Sequence, residues 1–186
     1  MLQYEQKEGG ILHFEKTLDS ETVYDGKIIK VQRDEVLLEN GKTALREVVR
    51  HCGAVAVLAL DGEKNACFVR QFRYPIGREL LEVPAGKMEP FELPLDCAKR
   101  ELSEECGLTA EKWTELGPFL SSPGFCDETI WFFLAEELTE TKQHPDEDEF
   151  LDVIKMPFSE AVQKAASGVF PDGKTQALIL RAAAKL

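Results

Sequence analysis

Residues 13 to 50 alternate between apolar and polar positions with the period of two expected of half-buried strands, and turn signals at Asp25-Gly26 and Asn40-Gly41 divide them into segments 17–24, 28–38 and 43–50. This predicts an N-terminal antiparallel meander. From 54 to 60 a run of small and β-branched residues reads as a buried strand, Asp61-Gly62 turns the chain, and 66–72 returns as its hairpin partner. A further strand over 79–83 ends at Pro84-Ala85-Gly86. The spacing then predicts a helix over 94–106, with Pro94 in its first turn and Gly107 in the C-terminal stop position. Strands over 113–120 and 129–136 flank the loop SSPGFCDE, where Pro123-Gly124 breaks regular structure. The acidic stretch 145–149 reads as a solvated loop, 149–156 as the last strand, 159–167 as a helix stopped by Gly168, and the residues after Asp172 as a terminal helix. The pattern is that of a mixed α/β chain without internal repeats, with a meander over 1–50 and a main domain over 51–186.

On the helix over 94–106, Glu101, Glu104 and Glu105 stand at i, i+3 and i+4, so three carboxylates share one face and repel each other unless a cation is present. Leu95, Ala98 and Leu102 follow the same helical spacing about a quarter turn away, which lets the helix bury an apolar stripe beside its acids.

Composition narrows what those acids can do. The chain has 186 residues, 44% of them apolar, enough for one main domain with a small appendage. Its 22 Lys and Arg against 34 Asp and Glu give a net charge of -12, which excludes a generic binder of nucleic acid. An anionic substrate must therefore be met locally, by a metal or a few arginines. The longest apolar run is too short to span a bilayer, and the start MLQYEQKEGG has no basic and apolar leader pattern, so a soluble cytoplasmic protein with no membrane partner is expected. Five widely spaced cysteines without a CxxC pair read as reduced, and three scattered histidines form no ligand pair.

The segment from Gly86 fits G-x5-E-x7-R-E-U-x-E-E-x-G-U, with U aliphatic, at Gly86, Glu92, Arg100, Glu101, Leu102, Glu104, Glu105, Gly107 and Leu108. Seven specified polar or glycine positions coincide by chance on the order of once in 10⁹ starts, which sets aside a plain amphipathic surface helix. On this motif the chain is identified as a member of the Nudix hydrolase family. VRQFRYP at 69–75, ELLEVPAGK at 79–87 and SPGFCDE at 122–128 resemble its ADP-ribose pyrophosphatase branch, as does Pro123, fifteen residues beyond Leu108.

The resemblance implies an α/β Nudix fold, a mixed sheet between helices with a loop-helix-loop metal motif, and an enzyme that hydrolyses the pyrophosphate of a nucleoside diphosphate sugar. ADP-ribose, cut to AMP and ribose 5-phosphate, leads; a GDP-mannose type of sugar and a non-hydrolysing ADP-ribose binding module are the alternatives. Mg²⁺, with Mn²⁺ as a substitute, suits a site built of a few carboxylates, waters and substrate phosphate. By position, Glu101, Glu105 and the Ala85 carbonyl are implied ligands, and Glu104 a ligand or water-mediated neighbour. Glu92 and Arg100 are implied to orient the row beside Gly86. Arg73 is implied to contact phosphate or the terminal ribose, and Glu82 faces the metal cluster or substrate or is a structural strand-end acid. Glu128, with Asp127 adjoining, is the implied base, alongside Glu105 and Glu104 in catalysis. The branch also implies a homodimer whose meander reaches the partner's substrate, with Tyr24, Ile28, Arg46 and Arg50 as open candidates.

Overall fold

The computed structural model describes residues 13–145 and 149–186, so the middle of the acidic stretch lies outside the described residues. The chain divides into two compact units. The first comprises residues up to His51 with Gly124–Cys126, and its sheet has the order β1 (Lys16–Asp25), β2 (Lys30–Leu37), β3 (Thr43–Arg50), antiparallel throughout. The second strand starts at Lys30 rather than 28 because Gly26 N–H donates to Ile29 O at 3.0 Å, which closes a turn over 26–29. Val36 and Asp34 are buried, and Asp34 accepts from the Ser20 hydroxyl at 2.6 Å. Val49 N–H donates to Phe125 O at 2.7 Å, which adds 124–126 to the β3 edge. Leu18, Val23, Tyr24, Ile28 and Leu45 all remain exposed.

The second unit contains β4 (Ala54–Leu60), β5 (Asn65–Arg73), a 3₁₀ turn at Tyr74–Ile76, β6 (Arg78–Glu82), β7 (Ala85–Lys87), α1 (Pro94–Cys106), β8 (Leu108–Leu120), β9 (Thr129–Glu140), β10 (Leu151–Pro157), α2 (Phe158–Ala166) and α3 (Gly173–Ala183). Its seven-stranded sheet has the order β10-β5-β4-β9-β8, with β6 alongside β5 and β7 alongside β4. Since β4 and β9 run parallel and the other pairs antiparallel, the sheet is mixed.

Every residue of β4 is buried, which is why its sequence is an unbroken apolar run. Ala56, Leu58 and Leu60 share one core with Ala161 and Ala165 of α2 and with Leu178, Ile179 and Ala182 of α3. Val55, Val57 and Ala59 share the other with Cys97, Ala98, Leu102 and Cys106 of α1. Helices therefore cover both faces, as expected.

Two features of the second unit depart from the sequence reading, and both concern where strands begin or end. Residues 85–87 do not close the strand before them; they form β7, paired with β4 at Ala85↔Ala56, Gly86↔Val55 and Lys87↔Ala54. This is possible because β4 and β5 pair only at Ala59↔Cys67 and Leu60↔Ala66 before diverging, which leaves the earlier half of β4 for another strand. Pro84, without an N–H, ends the β6 ladder, while its carbonyl accepts from Val57 N–H at 2.9 Å. The other departure is length. β8 begins at Leu108 and β9 runs to Glu140, with a bulge between Glu115 and Gly117. Their outer pairs mix apolar residues, buried Leu108 and partly buried Ala110 and Leu138, with the polar pairs Thr109↔Thr139 and Lys112↔Glu136, so one face of the extension continues the core under α1.

Gly107 is required twice over. It ends α1 in the left-handed conformation with φ of 61°, and a Cβ there would lie 2.8 Å from Gln143 N. Gln143 in turn donates to Glu105 O at 2.7 Å, tying the segment after β9 to the last turn of α1.

Candidate active site

Helix α1 buries Glu101 and Glu105 together with its apolar stripe, leaving them 8% and 2% exposed. Such burial of two carboxylates one turn apart is costly unless each is held by donors or cations. Glu105 Oε2 accepts from Ala85 N–H at 3.0 Å. Glu101 packs so close to the backbone of β7 that a Cβ on Gly86 would lie 1.9 Å from its carboxyl carbon. Glycine at this position is thus a steric requirement of the acid row.

Arg100 organises the rest. Its Nε and Nη2 donate to Glu92 Oε1 and Oε2 at 2.9 and 3.0 Å, a bidentate pair, while Nη1 reaches Glu101 at 2.7 Å and Glu104 at 2.9 Å. Hydrogen bonding to Arg100 holds Glu92 down at about 2. The pairing of Glu92 with Arg100 lies where the sequence reading put it; the additional grip of Arg100 on Glu101 and Glu104 is a finding of the structure.

Burial pushes the carboxyl of Glu101 up, and Glu104 and Glu149 add like charge. Burial pushes Glu105 up to about 8, outweighing the Ala85 hydrogen bond, with Glu101 and Glu149 again adding like charge. Glu149, read from sequence only as the edge of a solvated loop, is therefore electrostatically part of this row.

A second constellation lies at the end of β6. Glu82 is 1% exposed and accepts from Arg73 Nε at 2.8 Å and Arg73 Nη2 at 2.7 Å, and also from Lys174. Burial raises the Glu82 carboxyl, but the two cations prevail and hold it at about 2. Arg73 and Glu82 thus form one bidentate unit. Lys174, Asp172 and Thr175 were not singled out in the sequence; the run Asp172-Gly-Lys-Thr, a helix cap followed by a cation and a hydroxyl, was the signal available.

Among the described residues no three His, Cys, Asp or Glu side chains already converge as a metal cage. Arg100 and the Ala85 N–H occupy the acids instead. The residues nonetheless suit a divalent cation of the hard, oxygen-binding kind, which takes one or two carboxylates and keeps several waters. Two buried carboxylates raised by burial, in a row of oxygen donors beside a glycine that leaves room for them, are a matching donor set. The other expected site residues belong to both units. Glu128 and Asp127 precede β9 in the second unit. Arg46 lies on β3 of the first unit, with its guanidinium on Glu15 at 2.9 Å.

With this geometry in place, comparison with known proteins is direct. A family profile described as NUDIX domain matches residues 50–177, and one described as nucleoside diphosphate sugar hydrolase N-terminal domain matches residues 15–49. The chain belongs to the NUDIX domain family. It is 46% identical to an ADP-ribose pyrophosphatase of Bacillus subtilis (strain 168) over 87% of this chain and 88% of that protein. It is 42% identical to a methanol dehydrogenase activator of Bacillus methanolicus over 89% and 91%. A crystal structure of an ADP compounds hydrolase shares the fold, with TM-score 0.83 and 21% identity across 95% of this chain and 96% of that one.

The raised Glu105 has a consequence for stability. Its folded value near 8 lies above its ordinary carboxylate value, so the folded state holds the proton more tightly than the unfolded one. The resulting stability is fully present at acid pH and is lost progressively as pH rises to about 8. In chelator, the thermal midpoint of Glu105→Gln relative to the parent is expected to climb between pH 5.5 and 8.5. Parallel curves for the two proteins, followed by circular dichroism, would contradict this assignment.

Proposed function

We propose that this protein hydrolyses the pyrophosphate bond of a nucleoside diphosphate derivative, ADP-ribose foremost, to AMP and ribose 5-phosphate, with Mg²⁺ as cofactor and Mn²⁺ as a substitute. The observation that carries this reading is the buried pair Glu101 and Glu105 set against the Ala85-Gly86 backbone. NUDIX family membership, in a family generally dependent on divalent metal, and the names of the relatives support it.

Glu101, Glu105 and the Ala85 carbonyl would hold the cation, with Glu104 direct or through water. A bound divalent cation supplies neutralisation of the diphosphate and a water of lowered pKa. The chain's own groups do the positioning. Arg73, with Nε and Nη2 fixed by Glu82, is the proposed contact to phosphate or the terminal ribose. Water adds to one phosphorus as the bridging P–O bond breaks, and its proton passes to a carboxylate, for which Glu128 is proposed, with Asp127 beside it and Glu149 the competing candidate. Five cysteines without a disulfide fit a reducing, cytoplasmic setting, and among the described residues no helix is long and apolar enough to cross a membrane.

The apolar side chains that the first unit leaves exposed support a homodimer, since a small antiparallel sheet is marginal on its own in water. Arg46 is the proposed contribution of this unit to substrate binding. Light scattering is expected to give twice the 20.9 kDa chain mass, and a mass near 20.9 kDa would refute the dimer.

In a panel of ADP-ribose, GDP-mannose, NADH and diadenosine polyphosphates, ADP-ribose is expected to show the highest kcat/KM, with activity lost in excess chelator. Glu105→Gln is expected to lower kcat at least about 100-fold with the fold intact. Glu128→Gln is expected to lower kcat more than it raises KM, and an unchanged kcat transfers the base to Glu149 or Asp127. Another substrate ranked first would overturn the ADP-ribose assignment. Binding without any product would make the protein a nucleotide-sugar sensor.

A further inference from the structure

The short stretch Glu82–Ala85 joins both constellations of the site: Glu82 grips Arg73, and Ala85 presents its N–H to Glu105. What holds this stretch on its other side is the first turn of α3. Asp172 caps that helix, its Oδ2 accepting from Thr175 N–H at 3.0 Å and from the Thr175 hydroxyl at 2.5 Å. The Thr175 hydroxyl, having donated to Asp172, accepts from Val83 N–H at 3.0 Å. Lys174 completes the set, donating to Asp172 Oδ2 at 3.0 Å and also to Glu82. Thr175 and Glu82 are buried, at 0% and 1% exposed, while Asp172 and Lys174 are partly buried at the edge of the network. Among the described residues no fully buried side-chain polar atom lacks a partner, so the buried donors and acceptors of the network are satisfied.

Helix α3 is also anchored at its far end. Arg181 Nη1 donates to the carbonyls of Leu116, Gly117 and Pro118 at 3.0 to 3.2 Å, at the β8 bulge, and its guanidinium lies 5.0 Å from the centre of the Phe132 ring. A helix fixed to the sheet at both ends is a rigid support for whatever its first turn holds.

We infer that Asp172, Lys174 and Thr175 form a positioning clamp for the site: Lys174 sets Arg73 through Glu82, and Thr175 sets the Ala85 carbonyl through the Val83 N–H. The inference rests on the proposed metal-dependent reading of the Glu101–Glu105 row, and it assigns two separable duties. The Thr175 arm governs cation affinity, since Val83 lies two residues before the proposed carbonyl ligand and Pro84 between them is tied to Val57. The Lys174 arm governs substrate affinity, since it fixes the carboxylate that orients the guanidinium. Groups that orient ligands in this indirect way typically contribute about 10- to 100-fold to metal affinity or activity.

The test uses the full chain and reads Mn²⁺ binding by electron paramagnetic resonance, KM and kcat for ADP-ribose, and the thermal midpoint. Thr175→Val, which keeps the shape and removes the hydroxyl, is expected to weaken Mn²⁺ binding about ten-fold, and Thr175→Ser to restore it. Lys174→Met is expected to raise KM about ten-fold with Mn²⁺ affinity within about two-fold of the parent, and Lys174→Arg to recover most of the loss. Folded Thr175→Val with parental Mn²⁺ affinity, or Lys174→Met with parental KM, would reduce the clamp to a stabilising contact and overturn the inference. Should Thr175→Val fail to fold, Lys174→Met decides alone. A parent protein that cuts no diphosphate refutes the proposed function, and Mn²⁺ binding by the Thr175 variants still judges the clamp.

Discussion

Two carboxylates buried one helical turn apart, against a backbone that brings them a single N–H, form an arrangement that a protein tolerates only when something else compensates. Glu101 and Glu105 are in that position, and the neighbouring structure can be read as what accommodates them. Gly86 exists as glycine because the Glu101 carboxyl occupies the place of a side chain. Arg100 takes up charge from Glu101 and Glu104 while Glu92 fixes Arg100. Burial, which pushes Glu105 up to about 8 and so favours its protonated form, is the remaining device, and a divalent cation would do the same work more strongly. Under the proposed function, a chain with a net charge of -12 would in this way accept an anionic diphosphate, because a cation at the row would invert the local field.

The topology follows the same constraint. β4 and β5 part after two residue pairs, which opens half of β4 to β7 and so brings Ala85 and Gly86 up to α1. The bend between β6 and β7 is then held from β4 through Pro84 and from α3 through Val83 and Glu82. Helices on both faces of the sheet thus serve one short segment of chain, α1 by supplying acids and α3 by fixing the backbone they meet.

Much of this was legible in the sequence. The fully buried β4, the Pro94 start and Gly107 end of α1, and the family motif are all local signals, carried by residues a few positions apart. The pairing of Glu92 with Arg100 was legible too, since motif spacing places them together. What lay beyond reach was non-local. Residues 85–87 look like the end of a strand because the gap in the sheet that receives them is set by the divergence of β4 from β5. Lys174 lies 92 residues from Glu82, and no periodicity links them. Glu149 reads as one more solvated acid until the fold brings its charge to Glu101 and Glu105. The outer ends of β8 and β9 interleave apolar Leu108, Ala110 and Leu138 with polar residues, and their extent is set by pairing with a strand distant in sequence, which local hydropathy does not report.

If the buried row is a cation site and burial favours the protonated form of Glu105 while the site is empty, then cation binding at Glu105 must release that proton. Glu105, held near 8, is largely protonated at pH 7. Calorimetric titration with Mg²⁺ or Mn²⁺ at pH 7, repeated in buffers of different ionisation enthalpy, measures this release directly. The account predicts that about one proton leaves per cation bound at the row and that Glu105→Gln abolishes the release. Cation binding with no proton released, or with the same release in Glu105→Gln, would contradict it.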